Sequence, residues 1–384
     1  MAAAMSPPER FAQGLIGQPG SRWRLPTPAL VVDLDALDAN IARMAARAKA
    51  AGVALRPHAK THKSAFIAQR QITAGAVGVC CAKVGEAEAL AAAGIRGLLV
   101  TSPIASAETA ERCAVLAGED PDFAAAVDHP VGADALQAAA AARSVTIQVV
   151  IDVDVGLGRT GVADTAAALA LARRIAGCPN LRLKGVQGYG GAWQHMAGAD
   201  KRLAAARVGL ARLSEIVETL RADGHACPLV TGGGTGTFDA DTELGVLNER
   251  QPGSYVFMDN QYADALGDDP DGAFQTSLFV QAQVISTNAQ RWVTVDAGLK
   301  AFATDGPPPR PMTTPFAPDA YFFFGDEHGG LMRPAGGGAI AHGQRVDLKV
   351  PHCDPTVDRY SWMHMVRGDL LVSIEPIEAA RRSQ

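Results

Sequence analysis

The chain has 384 residues, 48% of them apolar, and a formal net charge of −5. That length suits one large α/β barrel plus a smaller domain, and an acidic balance with no basic tract argues against a nucleic-acid partner. No apolar run approaches the roughly 20 residues of a membrane span, no basic-then-apolar leader opens the sequence, and the six cysteines show no CxxC spacing, which together point to free thiols and a cytoplasmic location.

Met1 to Pro28 is rich in Pro and Gly and reads as an irregular arm. Ala29 to Val32 reads as a strand, and Asp35 to Ala51 has helical periodicity ending at Gly52. Strand-like runs then follow at Val53 to Leu55, Val77 to Cys80, Gly97 to Val100, Phe123 to Val127, Thr146 to Asp152, Leu183 to Tyr189 and Leu229 to Thr231. Alanine-rich helical segments lie between them, such as Ala105 to Ala117 and Thr165 to Ala176. Strands alternating with helices argue for βαβ units, a parallel sheet and a TIM-type (β/α)8 barrel. The turn-rich stretch Asp268 to Gly272 breaks the rhythm. Beyond it the strand candidates are Leu278 to Ser286, Trp292 to Asp296, Tyr321 to Phe324, Arg345 to Val350, Met363 to Arg367 and Leu370 to Ile377. Long helical patterns are absent there, so a second, antiparallel β domain is expected. The division is an arm at 1–32, a barrel at 33–267 and a β domain at 268–384.

Polar signals collect after barrel strands, where function gathers in this architecture. Lys60 lies in Leu55 to Lys63, a strand-to-helix junction carrying two lysines, two histidines and an arginine. Lysine forms Schiff bases with carbonyls once neighbouring cations or burial lower its pKa; the bland alternative is a solvated basic loop. Arg159 sits within Asp154 to Gly161 and could equally be an ion-pair partner of Asp154. Tyr189 ends a strand ahead of Gly190, Gly191 and His195, and its choice lies between plain core and a ring contact. The run Gly232 to Gly236, with Gly234 and Thr235 inside it, can turn successive N–H groups toward a phosphate; the alternative is a flexible surface loop. Finally, His352 and Asp354 flank Cys353 after a strand. On an extended chain they share a face and could bind Mn²⁺, Mg²⁺ or Zn²⁺, against the plainer reading of a turn with an Asp cap before Pro355.

The octapeptide Arg56-Pro57-His58-Ala59-Lys60-Thr61-His62-Lys63 resembles the cofactor-lysine signature of the D-threonine aldolase and D-serine dehydratase family, pyridoxal-phosphate enzymes of the alanine-racemase-like fold type. The resemblance runs from about Thr27 to about Val366. It implies that Lys60, and not Lys63, is the Schiff-base lysine. It places Arg159 and Tyr189 near the cofactor ring, and Thr235, the pair Gly253-Ser254 and Tyr262 at the phosphate. A cation facing the pyridine nitrogen keeps it unprotonated. Family aldolases carry His-x-Asp where the dehydratase branch carries His-x-Cys, so His352 and Asp354 imply a metal-dependent aldolase. That metal would lower the pKa of a β-hydroxyl, with His195 or a metal-bound hydroxide as base, and a D-3-hydroxy-amino acid would yield glycine plus an aldehyde or glyoxylate.

The same resemblance implies a homodimer, an arm packed with the β domain, and His328 lining the site or serving structure. One departure stands out: family aldolases read Cys-Cys-Gln-Lys-Val where this chain reads Cys80-Cys81-Ala82-Lys83-Val84, so a glutamine that contacts the cofactor is Ala82 here. The alternatives are a D-serine or hydroxyaspartate dehydratase, an amino-acid racemase, a non-catalytic carrier of pyridoxal phosphate, and a metal-dependent lyase without that cofactor.

Overall fold

The computed structural model describes residues 5–267, 274–334, 336 and 338–384. The expected turn at Asp268 to Gly272 lies outside them. The described chain forms two compact units, and neither is one continuous stretch. One gathers the residues up to Arg43, Thr61–Ser64 and Ser254–Arg381; the other gathers Met44–Lys60, Ala65–Gly253 and Arg382–Gln384.

The second unit is the parallel barrel expected from the sequence. Its strands are Ala54–Leu55, Val79–Cys81, Leu98–Val100, Ala124–Val127, Ile147–Val153, Leu181–Gly188, Leu229–Gly232 and Glu249–Arg250. The last pairs in parallel with the first, Ala54 opposite Glu249. The seam between Leu55 and Val79 is thin: one parallel bridge joins His58 to Cys80, and Val77 N–H donates to Leu55 O at 2.8 Å. Strands covered on both faces carry unbroken apolar runs; Ala124–Val127 is buried throughout. Cys80, Leu99, Ala124, Ala126 and Val150 form one buried cluster. The eighth strand escaped the sequence reading because Glu249 and Arg250 are two charged residues with no apolar run. Gly185 is required where the register shifts against Val149–Val150: its φ is +155°, and a Cβ there would lie 1.9 Å from Leu229 O.

The other unit holds a nine-stranded, mostly antiparallel sheet. Ala29–Asp33 lies in its middle, antiparallel to Leu278–Ser286 and parallel to Trp362–Arg367. Leu15, Leu25, Val31, Val366 and Leu371 are among the residues of its core. Two strands, Arg310–Pro311 and Gly329–Met332, were missed because Pro and Gly read as loop. The N-terminal arm is also less irregular than expected, with a helix at Pro7–Gln13. Ser6 and Glu9 form a capping box and Pro occupies the first helical position, which is a helix start in three letters. No helix among the described residues is long and apolar enough to cross a membrane.

Candidate active site

Strand Ala54–Leu55 delivers Lys60 into a single 3-10 turn, Ala59–Thr61. The turn is pinned through His58. Lys60 N–H donates to His58 Nδ1 at 3.4 Å, and Nε2 of the same ring meets Thr101 Oγ1 at 3.2 Å. Thr101 in turn donates to Cys81 O at 3.2 Å. Lys60 Nζ lies 5.7 Å from the centroid of the Tyr189 ring, and the Arg159 guanidinium lies 5.5 Å from the same ring. Both distances lie in the range of a cation–π contact.

These side chains line a cavity of about 520 Å³, together with His58, Ala82, Asp152, Gln187 and Gln251. The volume suits a small-molecule site. Lys63, by contrast, pairs with Asp358 at 3.2 Å and holds Ala379 N–H with its carbonyl, so it is structural. Arg56 is structural too: it pairs with the buried Glu249 at 3.1 Å. The basic octapeptide therefore divides its charges between barrel seam, reactive cavity and the other unit's framework.

Arg159 is not paired with Asp154 among the described residues. Asp154 Oδ1 instead accepts the N–H groups of Gly156, Leu157 and Gly158 at 2.9, 2.9 and 3.0 Å, and these bonds, that of Gly158 foremost, hold its carboxyl below the usual range. Its place is to shape the loop that presents Arg159.

Asp152 was not singled out in the sequence, yet it lines the cavity at 5% exposure. Burial pushes its carboxyl up to about 6, against hydrogen bonds from Thr160 and Gln187 and the Arg159 charge; neighbouring Asp128 adds to the rise. The folded state thus holds a proton that the unfolded chain releases above its ordinary value of 3.8, so stability falls as pH rises through that window and stays lower beyond it. Asp152→Asn is expected to raise stability by on the order of 2 kcal/mol above about pH 7, with no gain below about pH 4. Urea unfolding at both pH values checks this; an equal gain at both contradicts it.

The glycine run is no flexible surface loop, since Thr231 to Phe238 are all buried. Gly236 N–H donates to Gln194 Oε1 at 3.0 Å, and Gly234 N–H bonds the buried Asp241 carboxyl, which Thr237 also holds at 2.7 Å. A Cβ on Gly234 would meet Gln194 Oε1 at 2.3 Å, and one on Gly233 would meet Asp241 Oδ2 at 2.3 Å. Gln194 and Asp241 thus brace the loop that carries Thr235. Gly253 closes this unit, and Ser254 opens a 3-10 turn of the other. Tyr262 is buried in helix Asn260–Leu266, capped by Asp259, which accepts its N–H at 2.9 Å.

His195 is exposed beyond the short helix Gly191–Gln194 and is not among the residues lining the cavity. The His352–Asp354 segment differs from the extended chain expected. His352 is the N-cap of helix Cys353–Val357, and Asp354 lies in its first turn. Pro355 fits there because first-turn N–H groups have no intrahelical partner. His352 Nδ1 meets Asp305 Oδ2 at 2.8 Å, leaving Nε2 as its other ring nitrogen, the arrangement of a carboxylate-oriented metal ligand. Asp259 Oδ2 anchors the turn by accepting Cys353 N–H at 2.9 Å. No group of three or more His, Cys, Asp or Glu able to hold a metal occurs among the described residues.

Pyridoxal phosphate fits the barrel site on three observations. Lys60 offers an amine to the cavity. Tyr189 and Arg159 offer a ring and a fixed cation beside it. Gln187 Oε1 is buried with no hydrogen-bond partner among the described residues. Asp152 and Gln187 carried a sequence signal that went unused: each is a polar residue inside an otherwise apolar parallel strand.

Comparisons with known proteins place the chain among relatives. The profile of the alanine racemase N-terminal domain matches residues 32–261, and that of a serine dehydratase domain matches residues 277–366. The chain is 37% identical over 358 residues to 3-hydroxy-D-aspartate aldolase of Paracoccus denitrificans (strain Pd 1222), covering 92% of each. The structure of D-threonine aldolase from Filomicrobium marinum superposes with a TM-score of 0.87 at 36% identity, covering 93% of this chain and 96% of that one. D-threo-3-hydroxyaspartate dehydratase of Delftia sp. (strain HT23) is 35% identical over 284 residues, 73% of each chain.

Proposed function

Because this chain belongs to the family of D-threonine and 3-hydroxy-D-aspartate aldolases within the alanine-racemase fold, we propose that its cavity cleaves D-3-hydroxy-amino acids to glycine and an aldehyde, or to glycine and glyoxylate. The protein is a lyase that uses pyridoxal phosphate. The observation that carries the reading is the meeting of Lys60, Tyr189 and Arg159 at one cavity.

In the proposed scheme Lys60 binds the cofactor aldehyde, Tyr189 and Arg159 hold the ring, and Gly234, Thr235, Gly253, Ser254 and Tyr262 belong to the phosphate end. When bound, the cofactor supplies the electron sink for the bond that breaks. Arg159 would set a guanidinium, a planar cation, beside the ring. His352 and Asp354 would hold a divalent cation, Mn²⁺, Mg²⁺ or Zn²⁺, and a cation acidifies an oxygen it touches. His195 would take the hydroxyl proton, or the cation held by His352 and Asp354 would supply the base in its place. The scheme gives cofactor chemistry to residues 33–267 and the metal to residues 268–384, with a homodimer acting in the cytoplasm.

The test is product analysis. With pyridoxal phosphate and Mn²⁺, D-threonine and 3-hydroxy-D-aspartate are each expected to give glycine plus the matching carbonyl compound, and EDTA should abolish the reaction. Pyruvate and ammonia from D-serine, or oxaloacetate and ammonia from 3-hydroxy-D-aspartate, would make the enzyme a dehydratase and withdraw the weight placed on Asp354.

A further inference from the structure

Ala82 offers the cavity wall only a methyl group, and Gln251 offers it one amide. Another amide lines the same cavity. Gln187 belongs to strand Leu181–Gly188, is 4% exposed, and spends both hydrogens of Nε2 on the protein: one on Thr101 O at 2.7 Å, the other on Asp152 Oδ1 at 2.9 Å. Both partners are acceptors, so the amide cannot be turned the other way round. Thr101 is itself tied by its N–H to Cys81 O at 2.9 Å, next to Ala82. The amide is thus clamped on its nitrogen side, and its oxygen is a buried acceptor with no partner among the described residues. A buried polar atom left unpaired costs free energy that a ligand donor would recover.

We propose that Gln187 is a ligand-positioning residue whose Oε1 accepts a hydrogen bond from an N–H or O–H donor of the molecule in the cavity. The inference rests on the function proposed above, which supplies two sources of such a donor: the cofactor and the amino-acid substrate. Thr101 and Asp152 fix the acceptor's direction before anything binds. The amide therefore selects a donor.

Two probes separate the sources. Pyridoxal phosphate is titrated into apoprotein by fluorescence quenching, and D-alanine, which has no β-hydroxyl to cleave, is titrated into the loaded protein by its absorbance change. Gln187→Met, similar in shape but without an acceptor, is expected to weaken one of the two roughly ten-fold. Gln187→Glu should bind more tightly than Gln187→Met yet less tightly than wild type, because one shared proton can satisfy Asp152 or Thr101 O but not both, while an oxygen stays toward the cavity. Wild-type affinity for both probes in Gln187→Met overturns the proposal. So does equal loss in both variants, which would mark Gln187 as a brace for Thr101 and Asp152 only. A wild-type protein that takes up neither probe removes the proposed function itself, and this inference with it.

Discussion

Lys60→Ala is expected to reduce cleavage by roughly four orders of magnitude, the scale of losing a positioned reactive group, while leaving the fold intact. Lys60 sits in a turn held by His58 and Thr101 through backbone and imidazole bonds, none of which uses its amine. The variant should unfold at the same urea concentration as wild type yet fail to retain pyridoxal phosphate after borohydride reduction. Lys63→Ala is the control. It removes an ion pair between the buried Lys63 and the half-buried Asp358, at a cost on the order of 1–3 kcal/mol of stability, and should keep both cofactor and activity. Borohydride labelling that survives Lys60→Ala and disappears in Lys63→Ala would transfer the reactive role to the second lysine.

The largest stability effect is expected at Glu249. Its carboxylate pairs with Arg56 and accepts from Thr231 Oγ1 at 2.9 Å, and both charged side chains are less than a tenth exposed. Breaking a buried pair strands the remaining charge away from water, so Glu249→Ala should cost about 3–5 kcal/mol. The location amplifies the consequence. Arg56 follows the two-residue strand Ala54–Leu55, whose neighbour starts at Glu249, so the lost pair loosens the shortest part of the barrel and the base of the turn carrying Lys60. Removing both charges together, with Arg56→Met and Glu249→Leu, should recover most of the loss, since desolvation then falls on neither. Urea unfolding of the three variants decides the matter; a single replacement costing less than about 1 kcal/mol would show that the pair is reached by water.

The barrel was legible because its strands are apolar runs separated by alanine-rich helices, a rhythm that local propensity and burial both enforce. Glu249–Arg250 was not, because two charged residues become a strand only when flanking strands supply the hydrogen bonds. Lys60, Arg159 and Tyr189 were legible by position, each falling just after a strand that the pattern could find. Asp152 and Gln187 were hidden for the opposite reason: they lie within strands, and the letters do not say which side chains of a two-faced strand turn inward. The His352 turn was misread as extended chain, although Pro355 suits the first turn of a helix as well as it suits a loop.

The strand Ala29–Asp33 has a consequence for the order in which the protein can be made. Its backbone is completed on one side by Leu278–Ser286 and on the other by Trp362–Arg367, and the bond from His364 to Leu30 O spans 334 residues. This segment must wait for a partner translated 334 residues after it. Until then Leu30, Val31 and Val32 present unpaired edges and apolar side chains to the cell, the state in which nascent chains aggregate. Closing so long a loop also makes assembly of this sheet slow in comparison with its neighbour-paired barrel, so the yield of active protein depends on what shields that strand during synthesis.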